Sequence, residues 1–193
     1  HSVTITDNLG CTLVDFVDIV NSHDEISGTL EVLEQVSCFS ACDGIAQLSS
    51  IGGVLQHTYF WDNGQTYIGS GPDTAYNLCF GGHNIIIEDA LGCRKTIPFI
   101  ITQPDELFAQ AEQVQPVQCY VFDDGIAFSS ATGWTTPYLF VWDDPVSGPT
   151  GQDIDSLTPG IHVVYVTDAN GCTASDTVVI SEPTQLEVVI VDS

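Results

Sequence analysis

The side chains with the most chemistry to offer are seven cysteines: Cys11, Cys38, Cys42, Cys79, Cys93, Cys119 and Cys172. In a chain of short apolar alternations they point to an oxidising compartment and to disulfides. Cys38 and Cys93 recur as Cys119 and Cys172, so pairing is expected within each repeat, Cys38 with Cys93 and Cys119 with Cys172. Closing loops of this length stabilises a small domain by about 4 kcal/mol in the chain-entropy model. Cys42 and Cys79 are matched one repeat later by Asp123 and Thr158, and two such extras are expected to bond each other. Cys11 is left over, with its partner expected upstream of His1. The pairing carries a tension. It puts the starts of the second and last strands at one end of a sandwich, where plain seven-strand alternation puts them at opposite ends. Either the strand count or the pairing must give. The rival chemistry is a four-cysteine zinc site from Cys38, Cys42, Cys79 and Cys93. The following repeat keeps only two of those positions, which is one disulfide and not half a zinc site.

Calcium is the other candidate ligand. Asp123, Asp124 and Asp168 lie around one expected cysteine pair, Asp43 and Asp89 are their analogues, and Asp143-Asp144 forms a further acidic step. Calcium takes six to eight oxygens, which loop carboxylates and carbonyls can supply. No dense Asp-x-Asp-x-Asp loop is present, and Asp-Gly and Asp-Ala-Asn-Gly are ordinary turn sequences. Trp134 does not recur, since Gly53 holds its place, and an indole in that loop could stack on a sugar or a neighbouring domain. Trp61 and Trp142 recur and read as core. His83 and His162 recur too, and read as strand-start residues on the buried face.

These residues are positioned by internal repetition. His1 to Cys11, His83 to Cys93 and His162 to Cys172 align on a terminal Gly-Cys, with Asp four residues before each cysteine. Val36-Ser-Cys38 matches Val117-Gln-Cys119, Trp61-Asp62 matches Trp142-Asp143, and Gln103-Pro104 matches Glu182-Pro183. The period is about 80 residues, one small sandwich per repeat. The expected boundaries are 1–25 for the tail of an upstream repeat, 26–104 and 105–183 for complete repeats, and 184–193 for the first strand of another. The chain thus reads as an interior piece of something longer. Val3/Ile5, Ile85/Ile87 and Val164/Val166 alternate with mostly more polar neighbours, which marks half-buried strands. After each Gly-Cys the inward set resumes as Val17/Ile19, Phe99/Ile101 and Val178/Ile180. The intervening Asp-x-x-Gly segments read as hairpin turns with glycine at positive φ. The expected fold is all-β, tandem Ig-like antiparallel β-sandwiches.

Charge narrows the partners. With 26 Asp+Glu against 2 Lys+Arg the formal charge is −24, which repels phosphate backbones and anionic membranes. No nucleic acid and no membrane insertion are expected, because no apolar run is long enough to span a bilayer. There is no Gly-x-Ser-x-Gly elbow, His-Glu-x-x-His motif or P-loop, so an enzyme is the least expected class.

Cys-x(4)-Asp-Gly, Phe60-Trp61 or Val141-Trp142, Gly-x-His-x-Val-x-Val-Thr-Asp-Ala-Asn-Gly-Cys172 and a closing Glu-Pro resemble the SprB-type repeat of large Bacteroidota adhesins. The resemblance covers both complete and both partial repeats. Two departures are a His where the family usually has Tyr, and the two extra cysteines of the first complete repeat. The resemblance implies type IX export, display outside the cell, and a role in adhesion or gliding motility. Asp-Thr-Ala, Asp-Ser-Leu and Asp-Thr-Val also resemble the O-glycosylation acceptor of these bacteria, nominating Thr74, Ser156 and Thr177. The main expectation is a structural and adhesive stalk without a cofactor, whose partners are neighbouring repeats, surface glycans and other copies in a filament. The alternatives are a carbohydrate-binding module or a passive spacer.

Overall fold

The computed structural model describes residues 1–18, 24–133, 135–144 and 146–189. Trp134 lies outside the described residues. Among those described, fifteen strands form and no helix. In chain order they are β1 (Ser2–Thr6), β2 (Thr12–Phe16), β3 (Ser27–Glu34), β4 (Gly44–Ile51), β5 (His57–Trp61), β6 (Thr66–Gly69), β7 (Asp73–Leu78) and β8 (Gly81–Glu88), then β9 (Arg94–Ile101), β10 (Phe108–Gln115), β11 (Gly125–Thr132), β12 (Leu139–Trp142), β13 (Asp153–Leu157), β14 (Gly160–Thr167) and β15 (Thr173–Ile180). The sheets run β1-β2, β3-β4-β7, β6-β5-β8-β9, β10-β11-β13 and β12-β14-β15. The fold is all-β and Ig-like.

The chain divides into two compact units. The first holds His1–Glu31, Ala46–Ala75 and His83–Phe99, and the second Val32–Ile45, Tyr76–Gly82 and Ile100–Ser193. In the first unit β8 pairs with β5 so that Ile85 faces Trp61 and Ile87 faces Tyr59, and all four side chains are buried. The Trp61 indole donates to Asp73 Oδ2 at 2.6 Å, which satisfies the ring's one polar atom inside the core. The same unit holds the β1–β2 hairpin, registered from Ser2 opposite Phe16 to Thr6 opposite Thr12. Every residue of that hairpin is exposed, Val3 at 58% and Ile5 at 61%.

The second unit contains a complete sandwich. Alternate residues of β11, β14 and β15 point inward, and Ala127, Val164, Val166, Val178 and Ile180 from both sheets close on Trp142. Trp142 is fully buried and its indole donates to the Gly151 carbonyl at 3.0 Å. Strand β10 packs across β15, and the Ala111 amide donates to Asp176 Oδ2 at 2.8 Å.

Candidate functional site

The chemistry of the chain gathers at its cysteines, each class on its own local frame. One frame is a turn. Asp7, Asp89 and Asp168 each accept two amide hydrogens on Oδ1, from Leu9 and Cys11, from Leu91 and Cys93, and from Asn170 and Cys172, all at 2.9 Å. Gly10, Gly92 and Gly171 take φ of 86°, 81° and 86°, which a residue with a Cβ adopts only under strain. The carboxylate therefore replaces backbone partners that the tight turn cannot supply. The bond from the Cys93 amide, with those from Val54 and Leu91, holds the Asp89 carboxyl below its ordinary range despite the opposing effect of burial.

The other frame is a loop that occurs twice. In residues 36–43, the Val36 amide donates to the Thr102 carbonyl at 3.3 Å, Ser37 to Asp43 Oδ1 at 3.0 Å, Ser40 to Gln103 Oε1 at 3.0 Å and Ala41 to the Cys38 carbonyl at 3.0 Å. In residues 117–124, Val117 donates to Ser181 at 2.9 Å, Gln118 to Asp124 Oδ1 at 3.0 Å, Val121 to Glu182 Oε2 at 3.1 Å and Phe122 to Cys119 at 3.1 Å. Ser40 and Val121 share a positive φ, 60° and 59°. Hydrogen bonds from the Ser37 side chain and backbone hold Asp43 below the usual carboxylate range.

Two disulfides form, both within the second unit: Cys38 with Cys172, 134 residues away, and Cys42 with Cys79. The first corrects the expectation of Cys38–Cys93 and Cys119–Cys172. The reason is the length of a strand. Cys119 sits on the loop that Ser181 anchors at the far end of β15, whereas Cys172 immediately precedes the start of that strand. Eight extended residues separate them by roughly 26 Å, far beyond disulfide reach. Both terms in tension gave: the pairing changes, and among the described residues the 105–183 repeat has six strands, β10 to β15. Cys172 instead enters the loop of the preceding repeat, where the Asn170 side-chain amide donates to the Ser37 carbonyl at 3.2 Å. Cys93, Cys119 and Cys11 are exposed thiols. The four-cysteine zinc set is gone, since Cys38 and Cys42 are bonded to different partners.

The calcium candidates do not converge. Asp124 lies in the Cys119 loop and Asp168 in the Cys172 turn, each already accepting backbone amides, so they stand at opposite ends of β15. Asp123 is exposed beside Asp124, and among the described residues no three His, Cys, Asp or Glu side chains could hold a metal. Asp143 instead binds His162: its Oδ2 lies 2.8 Å from Nδ1, while Nε2 lies 2.9 Å from the Thr158 carbonyl. Burial lowers the His162 pKa, but the bonds to Asp143 and Thr158 outweigh it and the net shift is upward. Asp62 Oδ1 lies 2.9 Å from His83 Nδ1. Of the glycosylation candidates, Ser156 and Thr177 are exposed, and the half-buried Thr74 hydroxyl accepts from Gln47 Nε2 at 3.0 Å.

The link between repeats was missed in the sequence. A signal for it was present, because the strand-end conflict disappears once each cysteine is allowed to pair one repeat further on.

No protein-family model and no curated protein matches the chain. Among solved structures it is similar to a C-terminal fragment of intimin in complex with the intimin-binding domain of its translocated receptor, at 11% identity and a TM-score of 0.39, over 81% of this chain and 64% of that one. It is also similar to the first two Ig domains of DIP-gamma, at 11% identity and a TM-score of 0.33, over 79% and 96% of the two chains. A tetra-tandem repeat from the extending region of a large adhesion protein aligns at 13% identity and a TM-score of 0.27, over 92% and 54%.

Proposed function

We propose that this chain is a structural and adhesive segment of a large exported surface protein, in which tension passes covalently from one repeat to the next. The observation that carries this reading is the Cys38–Cys172 bridge, which ties a residue of the 26–104 repeat to one of the 105–183 repeat. The bridge joins two residues of the second compact unit across 134 residues of chain, so load applied at the chain ends passes through its sulfurs and bypasses the span between them. Stable disulfides belong to oxidising compartments. A formal charge of −24 keeps neighbouring molecules apart in solution. The resemblance to SprB-type repeats supports display outside the cell, type IX export and a part in adhesion or gliding. Glycans at Ser156 and Thr177 would sit on exposed hydroxyls and add solubility.

The test is to pull the chain from its two ends in a single-molecule force experiment, oxidised and then reduced. A closed bridge hides the 134-residue span from the load, so reduction is expected to add roughly 450 Å of extension at 3.3–3.6 Å per residue. Equal extension in both states would remove the observation on which the reading stands.

A further inference from the structure

The loop that holds Cys38 is filled and its twin is open. Beside the formed bridge, Cys38, Phe39, Asp105, Glu106 and Leu107 line a cleft whose far wall is Gly171, Cys172 and Thr173. One repeat on, Cys119, Tyr120, Thr184, Gln185 and Leu186 line a cleft of about 440 Å³ in the same sequence order. The four loop hydrogen bonds are the same in both, so the second cleft is preformed. It lacks only a Gly-Cys turn, and Cys119 is exposed there as a free thiol.

We propose that this cleft receives the Cys11 turn of a second copy of the chain, joining copies head to tail through a Cys119–Cys11 disulfide. The proposal rests on the repeat-to-repeat bridge read above. Two turns carry exposed thiols, Cys11 and Cys93, and two features select the first. Thr12 follows Cys11 as Thr173 follows Cys172, whereas Arg94 follows Cys93 and is ion-paired with Glu88. The hairpin behind each turn also differs. In β8, which leads to Cys93, Ile85 and Ile87 are already fully buried, while their counterparts Val3 and Ile5 in β1 are more than half exposed.

The segment that would cover them is at the other cleft. At the filled site, the chain runs from Leu107 directly into β10, which packs on β15 and bonds Asp176. At the open site it runs from Leu186 through Val188, exposed at 96% and 90%. Asp15 on β2 stands where Asp176 stands on β15. One contact between copies thus seats a free thiol, a bare sheet face and an exposed apolar segment, using a junction already made once in the chain. The bond forms by exchange with a small-molecule disulfide such as oxidised glutathione. The two protein thiols give up two protons and two electrons as their S–S bond forms, the glutathione S–S bond breaks, and two glutathione thiols carry both away.

The experiment uses the 193-residue chain in a glutathione redox buffer at 0.15 M salt, which shortens the reach of the repulsion between acidic copies to about 8 Å. Non-reducing gels are expected to show a ladder in steps of 20.7 kDa. Cys11→Ser and Cys119→Ser should each run as monomers, while an equal mixture of the two gives a dimer and nothing larger. Cys93→Ser should leave the ladder unchanged. Peptide mapping after Asp-N digestion should recover Cys11 linked to Cys119. A ladder that survives in either single variant, a cross-link mapped to Cys93, or Cys119 recovered only as a thiol or a glutathione adduct overturns the proposal. The same digest reports Cys38–Cys172. If that link is present while Cys119 stays unpaired, the second-copy proposal alone falls. If it is absent, the reading beneath falls with it.

Discussion

The side-chain amide of Asn170 donates to the Ser37 carbonyl at 3.2 Å, so the turn bearing Cys172 is seated by a hydrogen bond as well as by its sulfur. The other two turns carry Leu9 and Leu91 at this position, so the turn itself does not need an amide. Asn170→Leu should therefore leave the turn and the disulfide in place. It removes two side-chain hydrogen bonds, to the Ser37 carbonyl and the Thr135 hydroxyl, and should cost about 1–2 kcal/mol. Urea denaturation of the oxidised protein measures this. A loss of several kcal/mol would mean that the side chain organises the turn and does not merely dock it.

The two disulfides should differ in what they contribute. In the chain-entropy model a bridge spanning 134 residues contributes about 5 kcal/mol and one spanning 37 residues about 4 kcal/mol. Cys38→Ser with Cys172→Ser is thus expected to lower the stability of the second unit more than Cys42→Ser with Cys79→Ser. Equilibrium denaturation of the two double variants ranks them, and the reverse order would show that strain or residual structure outweighs loop length.

The strands and the three Asp-x-x-Gly-Cys turns were legible in the sequence because their causes are local. Alternation of Val164 and Val166 with Tyr165 and Thr167 needs no knowledge of the partner strand, and Gly171 announces its own positive φ. The recurrence of Trp142 correctly marked it as core. The pairing of cysteines was not legible in that way. Recurrence places one Cys38-type and one Cys93-type residue in every repeat whether bonds close within a repeat or between successive ones. What separates the two cases is the length of β15 and the end at which Ser181 anchors the Cys119 loop, and both are tertiary facts. Asp124 and Asp168 misled for the same reason, being placed near one another only if Cys119 met Cys172.

His162 should make stability depend on pH. Its two ring nitrogens face two acceptors, Asp143 and the Thr158 carbonyl, an arrangement satisfied fully when both nitrogens carry hydrogen. The folded-state pKa therefore lies above the ordinary value of 6.5 in spite of burial. A group raised in this way stabilises the fold fully below its unfolded pKa and loses that contribution as pH rises through the folded value. Thermal unfolding is expected to show wild type losing stability above about pH 6.5, and His162→Gln doing so less. Parallel pH profiles would mean that His162 is held neutral.

Gly44 and Gly125 test a different point. Each follows an aspartate, and Asp-Gly reads as a turn in which glycine supplies positive φ. Neither residue has positive φ. They open β4 and β11 and are buried. What requires glycine is close approach. A Cβ on Gly125 would lie 2.6 Å from Ile180 Cγ2 and 2.9 Å from the Leu157 carbonyl oxygen, whereas on Gly44 it would lie 3.0 Å from the Leu78 oxygen and 3.1 Å from Ile101 Cγ2. The Leu157 carbonyl cannot rotate away as a flexible side chain can, so Gly125→Ala must push β11 off its paired strand β13 while also crowding Ile180 of β15. Overpacking of this kind costs about 1–3 kcal/mol, and Gly44→Ala should cost less because both contacts are looser. Gly171→Ala is the contrasting case, with open space around it but a φ of 86°. Its penalty should come from backbone strain, and it should weaken formation of the Cys38–Cys172 bridge while leaving the core intact. Denaturation midpoints of the three variants, together with the fraction of Cys38 recovered as a thiol, separate the two mechanisms. If Gly125→Ala were neutral, the two sheets would have room to move apart, and the buried glycine would reflect the turn sequence after all.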